Sequence, residues 1–221
     1  MAIYYNTSIV RSNLVYHTDP ANAKSYPSTG TVLSDLTASG WPATLQNSPT
    51  YTKINSGEFT YNGSNQYASV VGSINTNELT MMSFIYSTTS TQVSYAGIFF
   101  SRGTNVTGLD FFSTSTFLGY HWNDQGTTYL FNSGLVIPTN QWCMVALSAN
   151  ATTGTLYVNL TSATNTTSHP NTTINNINYG QDPTGGRNFA GKIGASLMYT
   201  RALSYSEIVQ NFQAYRDRYG I

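Results

Sequence analysis

Residues 189–208 read FAGKIGASLMYTRALSYSEI, a long alternating segment that leads directly into a helix start. In a β-strand, successive side chains point to opposite faces, so the alternating part divides into two sets. One set is mostly apolar (Phe189, Ile193, Ala195, Leu197 and Tyr199), and the other is Lys192, Ser196 and Met198. The pattern predicts a strand over 189–199 with one buried face and one solvent-facing face.

The end of this stretch predicts a helix. Ser204 and Glu207 have the spacing of a capping box, in which the serine hydroxyl accepts from the Glu207 amide and the carboxylate reaches back to Ser204. Leu203 and Ile208 stand where a hydrophobic staple forms. Apolar residues then recur at helical spacing at Ile208, Phe212 and Tyr215. We therefore expect one short C-terminal helix that lays an apolar stripe on a sheet.

Upstream of residue 189 the chain consists of short alternating segments separated by turn residues. The predicted strands cover 66–71, 79–87, 95–101, 108–113, 117–122, 128–131, 142–149 and 155–161. The predicted turns lie at 62–63, 123–126, 153–154 and 182–186, and the polar stretch 162–178 is expected to be a loop or an edge hairpin. About ten short strands with regular turn signals predict an all-β fold, a sandwich of two antiparallel sheets.

Length and composition limit the classes of protein. The 221 residues suit one all-β domain, which we place at 12–221, with 1–11 as an N-terminal arm or edge strand. Charged residues are only 8% of the chain and balance to zero, whereas Thr, Ser and Asn exceed a third. Without a basic excess we expect neither nucleic acid nor an anionic membrane as partner. Plentiful aromatic residues argue against disorder, and the lone Cys143 excludes a disulfide scaffold.

Several segments, in the order in which they occur, resemble laminin-G-like domains of the concanavalin A type. The segments are 59–67, 141–147, 154–159, 188–194 and 199–208. The opening segment, 14–27, is similar to the version found in tailed-bacteriophage structural proteins. The resemblance covers about 10–221 and implies a jelly-roll sandwich. It also implies binding of glycans or proteins, sometimes through calcium, and some relatives hydrolyse glucans.

Hydrolysis of glucans requires two carboxylates that flank the scissile bond, and in this fold they lie a few residues apart on one strand. The closest two of the nine carboxylates, Glu207 and Asp217, are ten residues apart, although a pair could still form across strands. Cys143 alternates with Val145 and Leu147 and is expected to be a buried structural thiol. The three histidines have no second ligand at zinc spacing. We therefore expect no enzyme activity.

Calcium is the cofactor that the resemblance raises, and we expect no bound cofactor unless it is calcium. Asn62 and Gln66 stand where the family commonly has carboxylates, which argues against a tight site in that hairpin. Asp19 and Asp110 are the candidate ligands, with weaker support for Asp124. The alternative for Asp19 is structural, because Asp19-Pro20 is a good start for a turn.

The best local candidate for glycan binding is Tyr120, His121, Trp122, Asn123 and Asp124, which combines rings, an amide and a carboxylate at one hairpin tip. An exposed indole would stack on a sugar, with the polar groups binding hydroxyls. The alternative interpretation is a core tryptophan at the end of a strand, followed by an ordinary turn. The sequence does not decide between the two.

We expect a non-enzymatic virion surface protein, either a capsid decoration protein or a component of a fibre or tail. The basis is the phage-like opening, the single cysteine, the uncharged polar composition and a start that lacks a secretory signal. Its expected partners are other virion proteins, host polysaccharide and further copies of itself in an oligomer or lattice. A free-standing carbohydrate-binding module is the alternative, and a glucan hydrolase is a third, weaker hypothesis.

Overall fold

The computed structural model describes residues 8–53, 57–113 and 116–221. The elements in chain order are β1 (Leu14–Thr18), β2 (Val32–Leu33), β3 (Ala43–Gln46), β4 (Thr50–Thr52), β5 (Glu58–Asn62), β6 (Tyr67–Val70), β7 (Ile74–Thr76), β8 (Leu79–Ser87), β9 (Gly97–Arg102), β10 (Val106–Phe111), β11 (Leu118–Trp122), α1 (Gly126–Tyr129), β12 (Trp142–Ala149), β13 (Thr153–Val158), β14 (Thr161–Thr166), β15 (Thr172–Ile174), β16 (Ile177–Tyr179), β17 (Gln181–Asp182), β18 (Arg187–Asn188), β19 (Ala190–Tyr199) and α2 (Tyr205–Tyr219).

Two large antiparallel sheets form the sandwich, as predicted. The eight-stranded sheet has the order β14-β13-β12-β8-β19-β5-β4, and β1 pairs with β19 as well. The seven-stranded sheet has the order β11-β10-β9-β16-β6-β3-β2. The strand pairs β7–β15 and β17–β18 lie outside the two sheets. In the part of the chain that the structure describes, no helix is long and apolar enough to cross a membrane.

The molecule has two hydrophobic layers. The larger layer lies between the sheets and includes Tyr120 and Trp122 from one sheet and Cys143 from the other. Burial raises the pKa of the Cys143 thiol to about 12, so the thiol is inert, as expected. The second layer lies between the eight-stranded sheet and α2, which contributes Ile208, Phe212, Tyr215 and Tyr219.

Helix α2 begins where the sequence predicts. Ser204 is the N-cap, and both hydrogen bonds of the capping box with Glu207 are present. The helix ends at Gly220, whose φ of 68° is the left-handed conformation that glycine adopts at little cost. The signals at the start of the helix are local in sequence, which is why its predicted start at Ser204 is confirmed.

The prediction of one wet face on β19 is wrong. Helix α2 covers the outer face of the central strands, so both faces are buried. A register shift between Ile193 and Ser196 also divides the predicted apolar set. Phe189, Ile193 and Met198 face the other sheet, whereas Ala195, Leu197 and Tyr199 face the helix.

The structure also corrects predictions for three short segments, residues 128–131, 153–154 and 162–178. Residues 128–131 were expected to form a strand, but Thr128 and Tyr129 belong to α1, because the Gln125 carbonyl accepts from the amides of both. Thr153 and Gly154 are predicted to form a turn, but they are the first two residues of β13. The turn lies before them, where Oδ1 of Asn150 accepts from the amides of Thr152 and Thr153. Residues 162–178 contain edge strand β14, as expected, but they also contain β15 and the start of β16. Because β16 lies between β9 and β6 in the seven-stranded sheet, the prediction of a loop or edge hairpin is wrong at 177–178.

The N-terminal segment lies partly outside the described residues. Of the predicted arm 1–11, residues 1–7 are not described, and 8–11 form no strand. Ile9 and Val10 are buried against α2, and the Val10 amide donates to Asn211 Oδ1 at 2.8 Å. Residues 8–11 are therefore fastened to the helix, and the arm or edge strand predicted for 1–7 stays a prediction.

Candidate binding pocket

A polar pocket lies on the outer face of the seven-stranded sheet, the face that points away from the other sheet. Strands β10 and β11 alternate, so Leu109, Tyr120 and Trp122 enter the inter-sheet core. Asp110 and His121 lie between them in sequence and therefore on the opposite face. This alternation builds the floor of the pocket.

Two glycines make room on this face. A Cβ at Gly119 would lie 2.7 Å from Oδ1 of Asp110, and a Cβ at Gly97 would lie 2.3 Å from the amide nitrogen of Asp182. Real Cβ atoms do not approach other atoms so closely. The glycines therefore let the Asp110 carboxylate and the β17–β18 hairpin sit directly on the sheet.

The pocket has a volume of about 270 Å³ and six lining residues: Tyr95, Arg102, His121, Asp124, Tyr129 and Arg187. We call it the His121 pocket. Its volume lies just below the range of about 300–1,000 Å³ for small-molecule sites. It therefore fits a small polar ligand or one unit of a longer chain.

His121 is held in place from behind. Its Nδ1 lies 2.8 Å from Oδ2 of Asp110, and the side chains are 3% and 1% exposed. Burial raises the pKa of Asp110, and the contact with His121 opposes this rise. Since Nδ1 faces Asp110, the other ring nitrogen, Nε2, is the one directed towards Asp124, whose Oδ1 is 4.0 Å away.

Tyrosine rings form the walls. Tyr129 stacks on His121 with ring centroids 5.3 Å apart, and Tyr95 meets the same imidazole edge-on at 5.4 Å. The planes of the two tyrosines are perpendicular, with centroids 6.4 Å apart. Both side chains are half-buried, so part of each ring remains accessible from the pocket.

Two arginines share one buried carboxylate at the far side of the pocket. Arg102 donates from Nε and Nη2 to the two oxygens of Asp182, at 2.6 and 2.9 Å. Arg187 donates from Nη1 to Oδ2 at 2.9 Å. Burial alone would raise the pKa of Asp182, but hydrogen bonds from Arg102, the Thr184 amide and Arg187 lower it below its ordinary value. Asp182 is therefore an anion that fixes both guanidinium groups.

The structure separates the predicted group at residues 120–124. Tyr120 and Trp122 have no exposed surface. The prediction of an exposed indole at this hairpin is therefore wrong, and the alternative prediction of a core tryptophan is confirmed. His121 and Asp124 line the pocket. The Asn123 amide donates to the Asn171 carbonyl at 3.0 Å and ties β11 to the segment before β15. Asn123 and Asp124 have φ values of 49° and 55°, which Asn and Asp tolerate better than most residues.

The two candidate calcium ligands do not meet. Asp19 accepts from Nη1 of Arg218 on α2, at 2.9 and 3.0 Å, and its carbonyl closes the predicted turn with the Asn22 amide. Asp110 faces His121 under the pocket. Among the described residues, no group of three or more His, Cys, Asp and Glu side chains could hold a metal ion.

Four pocket residues were missed in the sequence. Tyr95 precedes β9, Arg102 ends β9, Tyr129 lies in α1, and Arg187 follows the turn at 182–186. Pairing of β9, β10 and β11 supplies the floor, and the loop before β9, α1 and the β17–β18 hairpin bring the other residues to it. The one signal available in the sequence is that Arg187 directly follows the predicted turn at 182–186.

A second, larger pocket of about 370 Å³ lies between the segment before β12 and the β13–β14 turn. Its lining has neither an aromatic ring nor a charged group: Gly134, Leu135, Val136, Pro138, Gln141, Val158, Asn159 and Thr161. It therefore offers fewer groups for specific recognition than the His121 pocket does.

Comparison with solved structures finds the same fold at low sequence identity. Domain 4 of AbnA, a GH43 extracellular arabinanase from Geobacillus stearothermophilus in complex with arabinotriose, has a TM-score of 0.67 and 18% identity, over 93% of this chain and 100% of that domain. Trypanosoma rangeli sialidase in complex with sialic acid has a TM-score of 0.68 and 15% identity, over 95% of this chain but 34% of the sialidase. The botulinum neurotoxin serotype G binding domain has a TM-score of 0.63 and 12% identity, over 90% of this chain and 50% of that one.

These likenesses show the fold, and the enzymes among them do not show an activity for this chain. No curated protein matches the sequence. A family model does match it, over residues 59–209, which is more than half of the chain and includes every residue of the His121 pocket. The chain belongs to the concanavalin A-like lectin/glucanases superfamily.

Proposed function

We propose that this protein is a non-enzymatic, lectin-like surface protein that binds a short carbohydrate segment in the His121 pocket. The observation that carries the proposal is the convergence of two half-buried tyrosine rings with His121, Asp124 and two arginines in one open pocket. Pockets of this type combine aromatic walls with a few convergent polar groups, which fix the orientation of a ligand.

The groups match the chemistry of a sugar. A pyranose ring presents C–H groups that pack against the faces of Tyr95 and Tyr129. Its hydroxyls can donate to the Asp124 carboxylate, which is 58% exposed, and can pair with His121 Nε2. The solved arabinanase domain that is similar to this chain throughout its length holds arabinotriose, which favours a carbohydrate over other small polar ligands.

Binding without hydrolysis is supported by the carboxylates of the site. A glycosidase needs two carboxyl groups that reach the scissile bond from its two sides. Asp110 is 1% exposed and pairs with His121, and Asp182 is fully buried under two arginines. All nine carboxylate side chains belong to described residues, and Asp124 is the only one that lines the pocket.

The test is a glycan array followed by calorimetric titration of the glycans that bind. Tyr129→Ala removes one wall and is expected to weaken binding at least tenfold. Leu130→Ala is the matched control, because Leu130 is adjacent, 62% exposed and outside the pocket. If no glycan is bound, or if Tyr129→Ala binds as tightly as wild type, the proposal fails.

As the setting of this activity we propose the surface of a virion, with other virion proteins as partners and host polysaccharide as the ligand. The support is the phage-like segment 14–27, together with the uncharged polar composition. The exposed edge strand β14 carries no charge that would oppose pairing with a neighbouring subunit, so an oligomer or lattice is part of this proposal. Mass spectrometry and antibody labelling of purified particles test it, and absence of the protein from intact virions would overturn it.

A further inference from the structure

The arginine side of the His121 pocket presents two guanidinium groups that are bonded to the same carboxylate. Arg102 and Arg187 both lie within ion-pair distance of Asp182. No other ion pair of either arginine occurs within residues 8–53, 57–113 and 116–221. Asp124 and Asp110 attract Arg102 only at longer range, without a direct ion pair, so Asp182 is the one carboxylate among the described residues that bonds directly to the two guanidinium groups.

Hydrogen-bond donors also remain on this side. Asp182 uses Nε and Nη2 of Arg102 and Nη1 of Arg187. Nη1 of Arg102 and both Nε and Nη2 of Arg187 donate to no described residue. The two side chains are 21% and 36% exposed, so a ligand in the pocket can reach these groups.

The guanidinium groups are fixed before a ligand arrives. Arg187 lies over the ring of Tyr95 at 5.0 Å and Arg102 over the ring of Phe100 at 5.8 Å, in addition to their bonds with Asp182. Arginines held in this way lose little conformational entropy on binding. Planar guanidinium groups match the geometry of a carboxylate.

We infer that the ligand of the His121 pocket is an acidic saccharide, whose ring carboxylate is held by Arg102 and Arg187 while its hydroxyls face Asp124 and His121. This inference rests on the proposed carbohydrate binding and specifies the class of sugar. Asp124 repels a carboxylate at its own side of the pocket, so it fixes the direction in which the sugar unit enters.

The experiment compares ligands that differ only in charge. Calorimetry is performed with trigalacturonate and its fully methyl-esterified form, and with sialyllactose and lactose, alongside an array of neutral, carboxylated and sulfated glycans. At least one acidic glycan is expected to bind, with an affinity at least tenfold higher than that of its neutral counterpart. This affinity is expected to fall as salt is added.

Variants assign the effect to the arginines. Arg187→Gln is expected to reduce affinity for the acidic glycan at least tenfold, and Arg187→Lys is expected to recover part of the loss. Arg216→Gln is the control, since it removes the same charge from an arginine on α2, outside the pocket. Thermal denaturation confirms that each variant folds; Asp182 keeps both hydrogen bonds from Arg102 when Arg187 is replaced.

The outcomes separate this inference from the proposed function. Binding of neutral glycans that Tyr129→Ala weakens and Arg187→Gln does not would leave the proposed function standing and overturn the acidic class. Preference for sulfated over carboxylated glycans would overturn it as well. If no glycan binds at all, the proposed function itself fails.

Discussion

Nδ1 of His121 lies 2.8 Å from Oδ2 of Asp110, and both side chains are almost wholly enclosed. The two residues are diagonal neighbours on adjacent strands, since Asp110 is opposite Gly119 and His121 is opposite Gly108. The absence of a side chain at Gly119 lets the carboxylate reach the imidazole. The pair sets the orientation of the ring and so decides which nitrogen a ligand meets.

We expect Asp110→Asn to weaken ligand binding about tenfold while the protein stays folded. The amide keeps the volume of the side chain but loses the carboxylate charge that faces Nδ1 of His121 at 2.8 Å, and a neutral amide attracts the imidazole less strongly. His121 would then be held less firmly. Calorimetry with a glycan identified on the array measures the loss, and circular dichroism checks the fold. Asp217→Asn, at a 71% exposed carboxylate, is the control. Equal affinity of the two variants would contradict this role of Asp110.

Trp122→Ala is expected to destabilise the protein by about 3–5 kcal/mol, the range for removal of a large buried aromatic side chain. The indole has no exposed surface, and its Nε1 donates to the Pro170 carbonyl at 2.8 Å. Denaturant titration measures the change, and Trp41→Ala, at a half-buried indole, should cost less. A variant at Trp122 with wild-type stability would place this ring outside the core.

The complete burial of Trp122 illustrates how far the sequence predicts this fold. Alternation in β11 shows that Tyr120 and Trp122 share one face and His121 the other, but it does not show which face is inside. That is decided by the second sheet, through contacts far apart in the chain. Helix α2 is predictable because its cap and stripe are local, whereas Tyr95, Tyr129 and Arg187 reach the pocket from the loop before β9, from α1 and from β18.

We expect calcium to leave the thermal stability unchanged, in 1 mM calcium against a chelator. The carboxylate of Asp19 already accepts from Arg218 and from the Ala21 amide at 3.1 Å, and Asp110 is occupied by His121. Asp19→Asn should cost about 1–3 kcal/mol, because it weakens a charge-assisted contact between the segment after β1 and α2. A rise in melting temperature with calcium that Asp19→Asn abolishes would instead establish a calcium site at Asp19.

The start of α2 gives a prediction on pH. The Glu207 carboxylate accepts from Arg201 Nη1 at 2.9 Å and from the Ser204 amide at 2.9 Å. Hydrogen bonds from Arg201 have the largest effect on the pKa of Glu207 and lower it. Burial opposes them, and hydrogen bonds from Ser204 lower the pKa further, so that it falls from 4.5 to about 2. A carboxyl group whose pKa falls on folding stabilises the folded state fully above its unfolded pKa. This contribution is lost as the pH falls from about 4.5 towards 2.

Glu207→Gln is therefore expected to lower the free energy of unfolding by about 1 kcal/mol at pH 7, the scale of a helix cap with a solvent-screened ion pair. The difference from wild type should narrow below pH 4.5 and vanish near pH 2, since protonation then removes the same charge from the wild type. Denaturant titrations between pH 7 and pH 2 measure it. Glu78→Gln, at an exposed glutamate before β8, should match wild type at pH 7. If the difference in free energy of unfolding between wild type and Glu207→Gln stayed constant down to pH 2, Glu207 would act through its shape and not through its charge.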